Sequence, residues 1–246
     1  MTSPPAAPAL RLLDVEREFA TPAGTVTALG PLDLEVTTGE LVAIMGPSGS
    51  GKSTLLGLCS ALDRPTRGRI EVHGRDLATL SPAALAALRR RTIGYVFQEL
   101  NLLPSLTAVE NVMLPLELDG MRTDLARAAA QQALAALSLG ALAERFPDEL
   151  SGGEQQRVAI ARAFVGPRSL LLADEPTGAL DSLAGETVMR ALRAACASGR
   201  TAVIVTHDAT HAAFADRIVH LRDGKVQQSP PTAWPGPRPL GSRGCS

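Results

Sequence analysis

The stretch Leu41-Val42-Ala43-Ile44-Met45-Gly46-Pro47-Ser48-Gly49-Ser50-Gly51-Lys52-Ser53-Thr54 decides the fold. Its first five residues form an apolar run of the length of a buried parallel strand. The turn that follows fits GxxxxGK with a Ser or Thr at the end, and the pattern of Lys52–Leu62 continues it as a helix. Strand, loop and helix in that order are the context a phosphate-binding loop requires. Its glycines let successive backbone N–H groups turn inward onto phosphate oxygens, helped by the positive end of the helix. Lys52 then neutralises the β- and γ-phosphates, and the Ser53 hydroxyl becomes a ligand for Mg²⁺. The plain alternative is a glycine-rich turn with one exposed lysine. Composition argues against it: only two of the 24 basic residues are lysines, Lys52 and Lys225, so a lysine kept here points to chemistry that needs a compact ammonium.

Outward from this loop the same alternation returns. Leu170-Leu-Leu-Ala173 is an apolar strand that ends in two carboxylates, Asp174 and Glu175. In open α/β sheets ligands bind at this end of parallel strands. Asp174 is expected to hold Mg²⁺ through water and Glu175 to polarise the attacking water as general base. A solvated strand end would also be acidic, so the pair gains its meaning from the phosphate loop. Helices are predicted at Pro82–Arg91, about Gly152–Val165 and Ser182–Ala197, with strands at Ile70–Val72, Ile93–Phe97 and Ala202–Thr206. The first part, from Leu10 to Val36, reads as strand-rich with a turn at Pro22-Ala23-Gly24, whereas Thr107–Arg145 reads as helical, interrupted at Pro115 and Gly120. Early β, a helical insertion and then βαβ alternation imply a parallel-sheet core broken by a helical subdomain.

Composition sets the remaining bounds. With 246 residues, 45% hydrophobic and 20% charged, the chain can bury a sizeable core. A formal net charge of −1 excludes binding to nucleic acid by bulk charge. Cys59, Cys196 and Cys245 lie far apart without metal-ligand spacing, so a disulfide scaffold or zinc finger is not expected and a reducing compartment is. No signal peptide is visible at the N-terminus. The longest uncharged candidate span, Ala128–Ala143, carries Gln131, Gln132, Ser138 and Gly140 and is too short to cross a bilayer. Eight of the 18 prolines lie in Pro4–Pro8 and Pro230–Pro239. Residues 1–8 and 228–246 are therefore expected to be tails and 9–227 the folded domain, with 98–149 as the helical insertion.

Between the two phosphate-site motifs stands Leu150-Ser151-Gly152-Gly153-Glu154-Gln155, leading into a helix. Ser151 and Glu154 make a capping box, which any helix can use, but two glycines in a first helical turn cost stability. Their value is close backbone approach to a ligand, which makes this a second helix N-terminus aimed at phosphate. Here the chain resembles the nucleotide-binding subunits of ABC transporters, whose signature is LSGGQ or LSGGE. The resemblance covers nearly the whole folded region and implies an α/β fold: a P-loop NTPase core of ABC ATPase type with an N-terminal antiparallel β subdomain and an inserted helical subdomain. It also implies roles by position. Gln98, in Tyr95-Val-Phe-Gln98, matches the Q-loop glutamine that senses Mg²⁺ and the attacking water. Gly178-Ala-Leu-Asp181 matches the D-loop, and His207, in Val205-Thr-His-Asp208, the switch histidine on the γ-phosphate. Phe19 takes the place of the tyrosine that stacks on adenine. His73, His211 and His220 match nothing and are expected to be surface or packing residues.

The segments Phe97–Val112 and Leu172–Gly178 are similar to the group that serves macrolide exporters, lipoprotein-releasing complexes and antimicrobial-peptide detoxification, with the cell-division ABC ATPase as a near relative. The resemblance implies an ATP-dependent head-to-tail homodimer, each ATP lying between Gly46–Thr54 of one copy and Ser151–Glu154 of the other. It also implies a separate integral membrane permease as partner, docked near the Q-loop, and so a peripheral place on the cytoplasmic face of the membrane. Glu99, Asn101 and Leu102 are expected at that docking cleft. ABC ATPases of DNA repair carry a long coiled-coil insertion and those of translation two ATPase domains, neither of which this sequence shows. A regulatory dimer without turnover would have a damaged catalytic motif, whereas Lys52, Gln98, Ser151, Asp174, Glu175 and His207 are all present.

Overall fold

The computed structural model describes residues 8–22 and 24–227. The tails expected at 1–8 and 228–246 fall outside these residues except for Pro8, as does Ala23 of the first turn. Strands β1 (Leu10–Thr21) and β2 (Gly24–Val36) form a long antiparallel hairpin, followed by β3 (Leu41–Met45) and helix α1 (Lys52–Cys59). Strands β4 (Arg67–Val72) and β5 (Arg75–Asp76) precede α2 (Pro82–Arg91) and β6 (Ile93–Val96). Helices α3 (Ala108–Glu117), α4 (Thr123–Ala136) and α5 (Gly152–Phe164) come next, then β7 (Leu170–Asp174), α6 (Ser182–Ala197), β8 (Thr201–Val205) and the short α7 (Ala209–Ala212). Strands β9 (Arg217–Arg222) and β10 (Lys225–Gln227) close the described chain.

Two sheets result. One is antiparallel in the order β2-β1-β4-β5, and the other has the order β10-β9-β3-β8-β7-β6. Within the second, β9, β3, β8, β7 and β6 run parallel and β10 pairs antiparallel at the edge. Strands β3, β7 and β8 are apolar at nearly every position because side chains of both faces are buried. Leu41, Ala43, Leu171, Ala173, Ala202 and Ile204 enter one core with the helices α3 to α6, while Val42, Ile44, Leu170, Leu172, Val203 and Val205 enter a second core with α1 and the antiparallel sheet. The alternation of period two along each strand thus divides one sheet between two cores.

The predicted elements are largely recovered, with physical reasons for the differences. Helix α1 ends at Cys59 rather than Leu62, because Ala61 adopts a left-handed conformation (φ 57°) that the helix cannot continue through. Pro115 lies inside α3 without breaking it, and the turn comes instead at Gly120 (φ 87°), which separates α3 from α4. The helical body includes α5, which packs on both α3 and α4 although it lies beyond the 98–149 insertion. Strands β9 and β10 and helix α7 are not among the predicted elements.

Candidate functional site

The phosphate loop is held open by its neighbours. Gly51 caps α1 with φ 98°, and a Cβ there would stand 2.4 Å from the carbonyl oxygen of Ala28 on β2. At Gly46 a Cβ would stand 2.0 Å from the carbonyl oxygen of Leu221 on β9. Both positions exclude any side chain, so the loop is pressed between the antiparallel hairpin and the parallel sheet. Gly224 N donates to Ser50 O at 3.1 Å, which ties the turn between β9 and β10 to the same loop. Lys52 Nζ donates to the carbonyls of Gly46 and Pro47, 2.9 Å each, and so lies across the mouth of the loop. Pro47, Ser48, Gly49 and Ser53 are exposed, and Thr54 lines the same opening as Lys52, Ser53 and Gly49. Lys225, the other lysine, stays outside: its stem lies over Gly30.

Strand β7 brings Asp174 beside this loop. Asp174 is only 5% exposed, and burial raises its pKa above the usual carboxylate range, opposed by the nearby Ser53 hydroxyl and by the charge of Lys52. A buried carboxylate near a hydroxyl supplies hard oxygen donors to one face of the loop. No cluster of three or more His, Cys, Asp or Glu side chains suited to a metal occurs among the described residues. A hydroxyl and one carboxylate suit Mg²⁺, which keeps several waters and takes its other oxygens from substrate phosphates.

Glu175, the next residue, has φ 48°, an uncommon conformation for a side chain of its size, and its amide is fixed by Val205 O at 3.0 Å. Its Oε1 accepts from His207 Nδ1 at 2.8 Å. The bond and the charge of Glu175 raise the pKa of His207, which is otherwise solvent-exposed. Glu175 and His207 line one cavity of about 500 Å³ with Thr177, Gly178, Leu180 and Ser182.

The remaining predicted residues divide into two groups. Gln98 is exposed just beyond the end of β6, whose Val96 pairs with Ala173 of β7, so it flanks the Asp174 end of the sheet. Phe19 is 39% exposed on β1, outside both cores, with the Arg17 guanidinium 4.4 Å from its ring centroid. The hairpin that carries it also presses Ala28 and Leu29 of β2 onto Gly51. The signature, by contrast, makes no hydrogen bond to the phosphate loop among the described residues. Ser151 Oγ accepts from Glu154 N at 3.3 Å, Glu154 Oε2 accepts from Ser151 N at 2.8 Å, and these bonds close the capping box on itself. They also hold the Glu154 carboxyl below its usual range. Nothing lies within 4 Å of where a Cβ of Gly152 would be, so packing within the chain does not demand that glycine. Gly153 faces Leu180 and the carbonyl of Ala179, which places the signature beside the Gly178–Asp181 loop. Asp181 is exposed and caps α6, accepting from Ala184 N at 2.8 Å.

Several residues near the site carry no sequence signal. Thr177 Oγ1 lies 2.9 Å from His211 Nδ1, which is also 3.1 Å from Asp208 Oδ2, so His211 lines the same cavity and packs against Gly185. His73 bonds Ser169 at 2.7 Å and His220 is exposed, as packing and surface roles require. Of the three residues expected at a docking cleft, only Asn101 lines the groove of about 310 Å³ between α2, β6, α3 and α5; Leu102 packs against the core instead. The side chains that open this groove to solvent are Leu62 and Leu118, 52% and 64% exposed.

Comparison with known proteins agrees with this geometry. A family described as "ABC transporter" matches residues 29–178. The chain is 47% identical to the macrolide export ATP-binding/permease protein MacB 1/2 of Paracoccus denitrificans over 235 residues, which is 94% of this chain and 35% of that protein. It is 48% identical to MacB of Hyphomonas neptunium over 89% of this chain and 34% of that one. The chain therefore spans about a third of the length of these curated relatives. Among solved structures, the ATP-binding cassette MJ0796, a dimer in a post-hydrolysis state bound to ADP and Pi, superposes with a TM-score of 0.86 at 41% identity, covering 90% of this chain and 98% of that one. A second dimeric structure of the same bacterial ABC transporter cassette gives 0.85 at 42% identity, covering 89% of this chain and 97% of that one. With a family match over more than half its length and a likeness that takes in almost all of a solved cassette, this chain belongs to the ABC transporter family.

Proposed function

We propose that the chain is the ATP-binding and ATP-hydrolysing motor of an exporter, closing as a head-to-tail homodimer around two ATP and driving a membrane permease. The single observation that carries this reading is the meeting of Lys52, Ser53, Asp174, Glu175 and His207 at one sheet edge, while the intact signature Ser151–Glu154 closes its capping box on itself and makes no hydrogen bond to them. A site split in this way needs a second copy to bring Ser151–Glu154 to the phosphates held at Gly46–Thr54.

In this reading the base stacks on Phe19, and the amides of Gly46–Thr54 with the Lys52 ammonium bind the phosphates. Ser53, Asp174 and Gln98 hold Mg²⁺, which when bound neutralises the triphosphate and orients it for in-line attack. Glu175 takes the proton of the attacking water, and His207 leaves its carboxylate to face the γ-phosphate. Asp181, at the start of α6, sits where two copies meet. Loss of the γ-phosphate weakens the contact with the partner's signature and opens the dimer.

The groove with exposed Leu62 and Leu118 is the seat of the permease. Among the described residues no helix is long and apolar enough to cross a membrane, so the spanning part belongs to other sequence, and the cassette lies on the cytoplasmic face through that contact. Cargo of the lipophilic or peptide-like kind follows from the likeness to macrolide exporters. Phosphate release from ATP by the purified chain, with Mg²⁺ and after its chelation, tests the reading. Metal-dependent turnover supports it, and ATP binding without turnover refutes it.

A further inference from the structure

Helix α5 carries the signature at its start and three arginines around its end. Two of them serve as caps. Arg168 donates to the carbonyls of Arg162 and Ala163, and Arg200 to those of Phe164 and Gly166, so the last carbonyls of the helix meet cations, as a helix C-terminus favours. Arg162 does something else. Its guanidinium leaves the helix and donates from Nη1 to Asn101 O and from Nη2 to Leu100 O, 2.7 Å each. These carbonyls follow Gln98 by two and three residues. Asn101 adopts φ 49°, a left-handed conformation that asparagine tolerates.

The energetics make this contact stiff. Arg162 is half-buried, and its partners are two carbonyl dipoles rather than a carboxylate. Pulling the loop from the helix would leave a half-buried cation without two hydrogen-bond partners, so the two move together more easily than apart. The rest of the loop is pinned from the other side. Asn111 on α3 is fully buried, accepts from Leu103 N at 2.8 Å and donates to the carbonyls of Leu103, Leu106 and Thr107. Gln98 itself is exposed and makes no side-chain hydrogen bond among the described residues, so the free tip of the loop stands directly before its fixed part. At the other end of α5, Gln156 Nε2 donates to Pro176 O at 3.1 Å, next to Glu175.

We infer that Arg162 is a positioning residue that yokes the Gln98 loop to the signature helix of the same chain, so that displacing one displaces the other. The inference rests on the reading above that both segments flank ATP. It predicts a link within one subunit between the tip that senses the metal and the helix that meets the partner's nucleotide.

Hydrogen exchange on the full chain, titrated with AMP-PNP and Mg²⁺, reads this without turnover. In the wild type, residues 98–107 and 151–164 should gain protection with one common midpoint. In Arg162→Lys, whose single ammonium cannot span two consecutive carbonyls, residues 46–54 should be protected as before while 151–164 lose their response. A wild type in which the two segments respond at separate midpoints overturns the inference, whether or not the variant folds. The steady-state rate gives a second reading. Arg162→Lys should lower kcat by about tenfold to a hundredfold with little change in KM, and should lower it no further in a Gln98→Ala background. Losses that multiply in the double variant contradict the yoke. A wild-type chain that binds AMP-PNP but hydrolyses no ATP would refute the proposed activity and leave the exchange result to decide the yoke.

Discussion

His207 Nδ1 donates to Glu175 Oε1 at 2.8 Å, joining residues that lie 32 positions apart in the chain. The strand ends of β7 and β8 stand side by side, and the positive φ of Glu175 turns its side chain toward the histidine. The proposed general base and the proposed γ-phosphate sensor therefore hold each other. In the proposed reaction this contact opens when ATP binds, freeing each side chain for its role.

This pair has a titration of its own. The bond to Glu175 and the charge of Glu175, with a smaller contribution from Asp208, raise the pKa of His207, while Lys52 opposes them. With a folded pKa above the unfolded one, the pair's contribution to stability is full below the ordinary imidazole value of about 6.5 and is lost as pH rises through the folded value. Because His207 is exposed, the effect on overall stability is small, and NMR titration of the imidazole is the better probe. Its midpoint should lie above the ordinary imidazole value and should fall toward that value in Glu175→Gln. An unchanged midpoint in the variant means that the two side chains are not paired in solution.

Lys52→Ala should weaken ATP binding about tenfold to a hundredfold, the loss of charge-assisted hydrogen bonds worth roughly 1.5–3 kcal/mol. The same ammonium bonds Gly46 O and Pro47 O, so the variant also loosens the loop. Calorimetry that returned an unchanged affinity would remove Lys52 from the phosphate site.

Asn111→Ala should destabilise the chain by about 2–4 kcal/mol, because Leu103 N and three carbonyls lose a fully buried partner. For a chain of this size that corresponds to a fall in Tm of roughly 5–15 °C. Thermal unfolding followed by circular dichroism measures it, and a fall of less than a degree or two would show that the loop before α3 is held by other contacts.

The core of the fold was legible because its strands are short apolar runs joined to recognisable turns. Leu41–Met45, Leu170–Ala173 and Ala202–Thr206 all stand where they were expected, within a residue. Strand β9 escapes notice because His220 breaks its short apolar run and arginines bound it at both ends, and β10 because three residues give no period. The exposed half of the hairpin, Gly24–Thr27, pairs through backbone alone and leaves no hydrophobic pattern. In the site, the ordered motifs named Lys52, Asp174, Glu175 and His207. Arg162, Thr177 and His211 stayed hidden, since their partners are carbonyls and side chains that only the folded chain brings near. Leu102 packs against the core, which sequence does not reveal, because an apolar residue in a loop reads the same whether it faces a groove or the core.

Glu175→Gln tests the central claim most directly, since it keeps the shape and hydrogen bonding of the side chain and removes the carboxylate. ATP should still bind, turnover should fall by a factor on the order of 10²–10⁴, and the unconsumed ATP should hold two copies together. Loss of a negative charge beside the γ-phosphate acts in the same direction. Light scattering of the variant with Mg²⁺ should therefore report a dimer in ATP and a monomer in ADP. A variant that hydrolyses ATP at the wild-type rate, or one that is inactive and monomeric with ATP bound, would contradict the account.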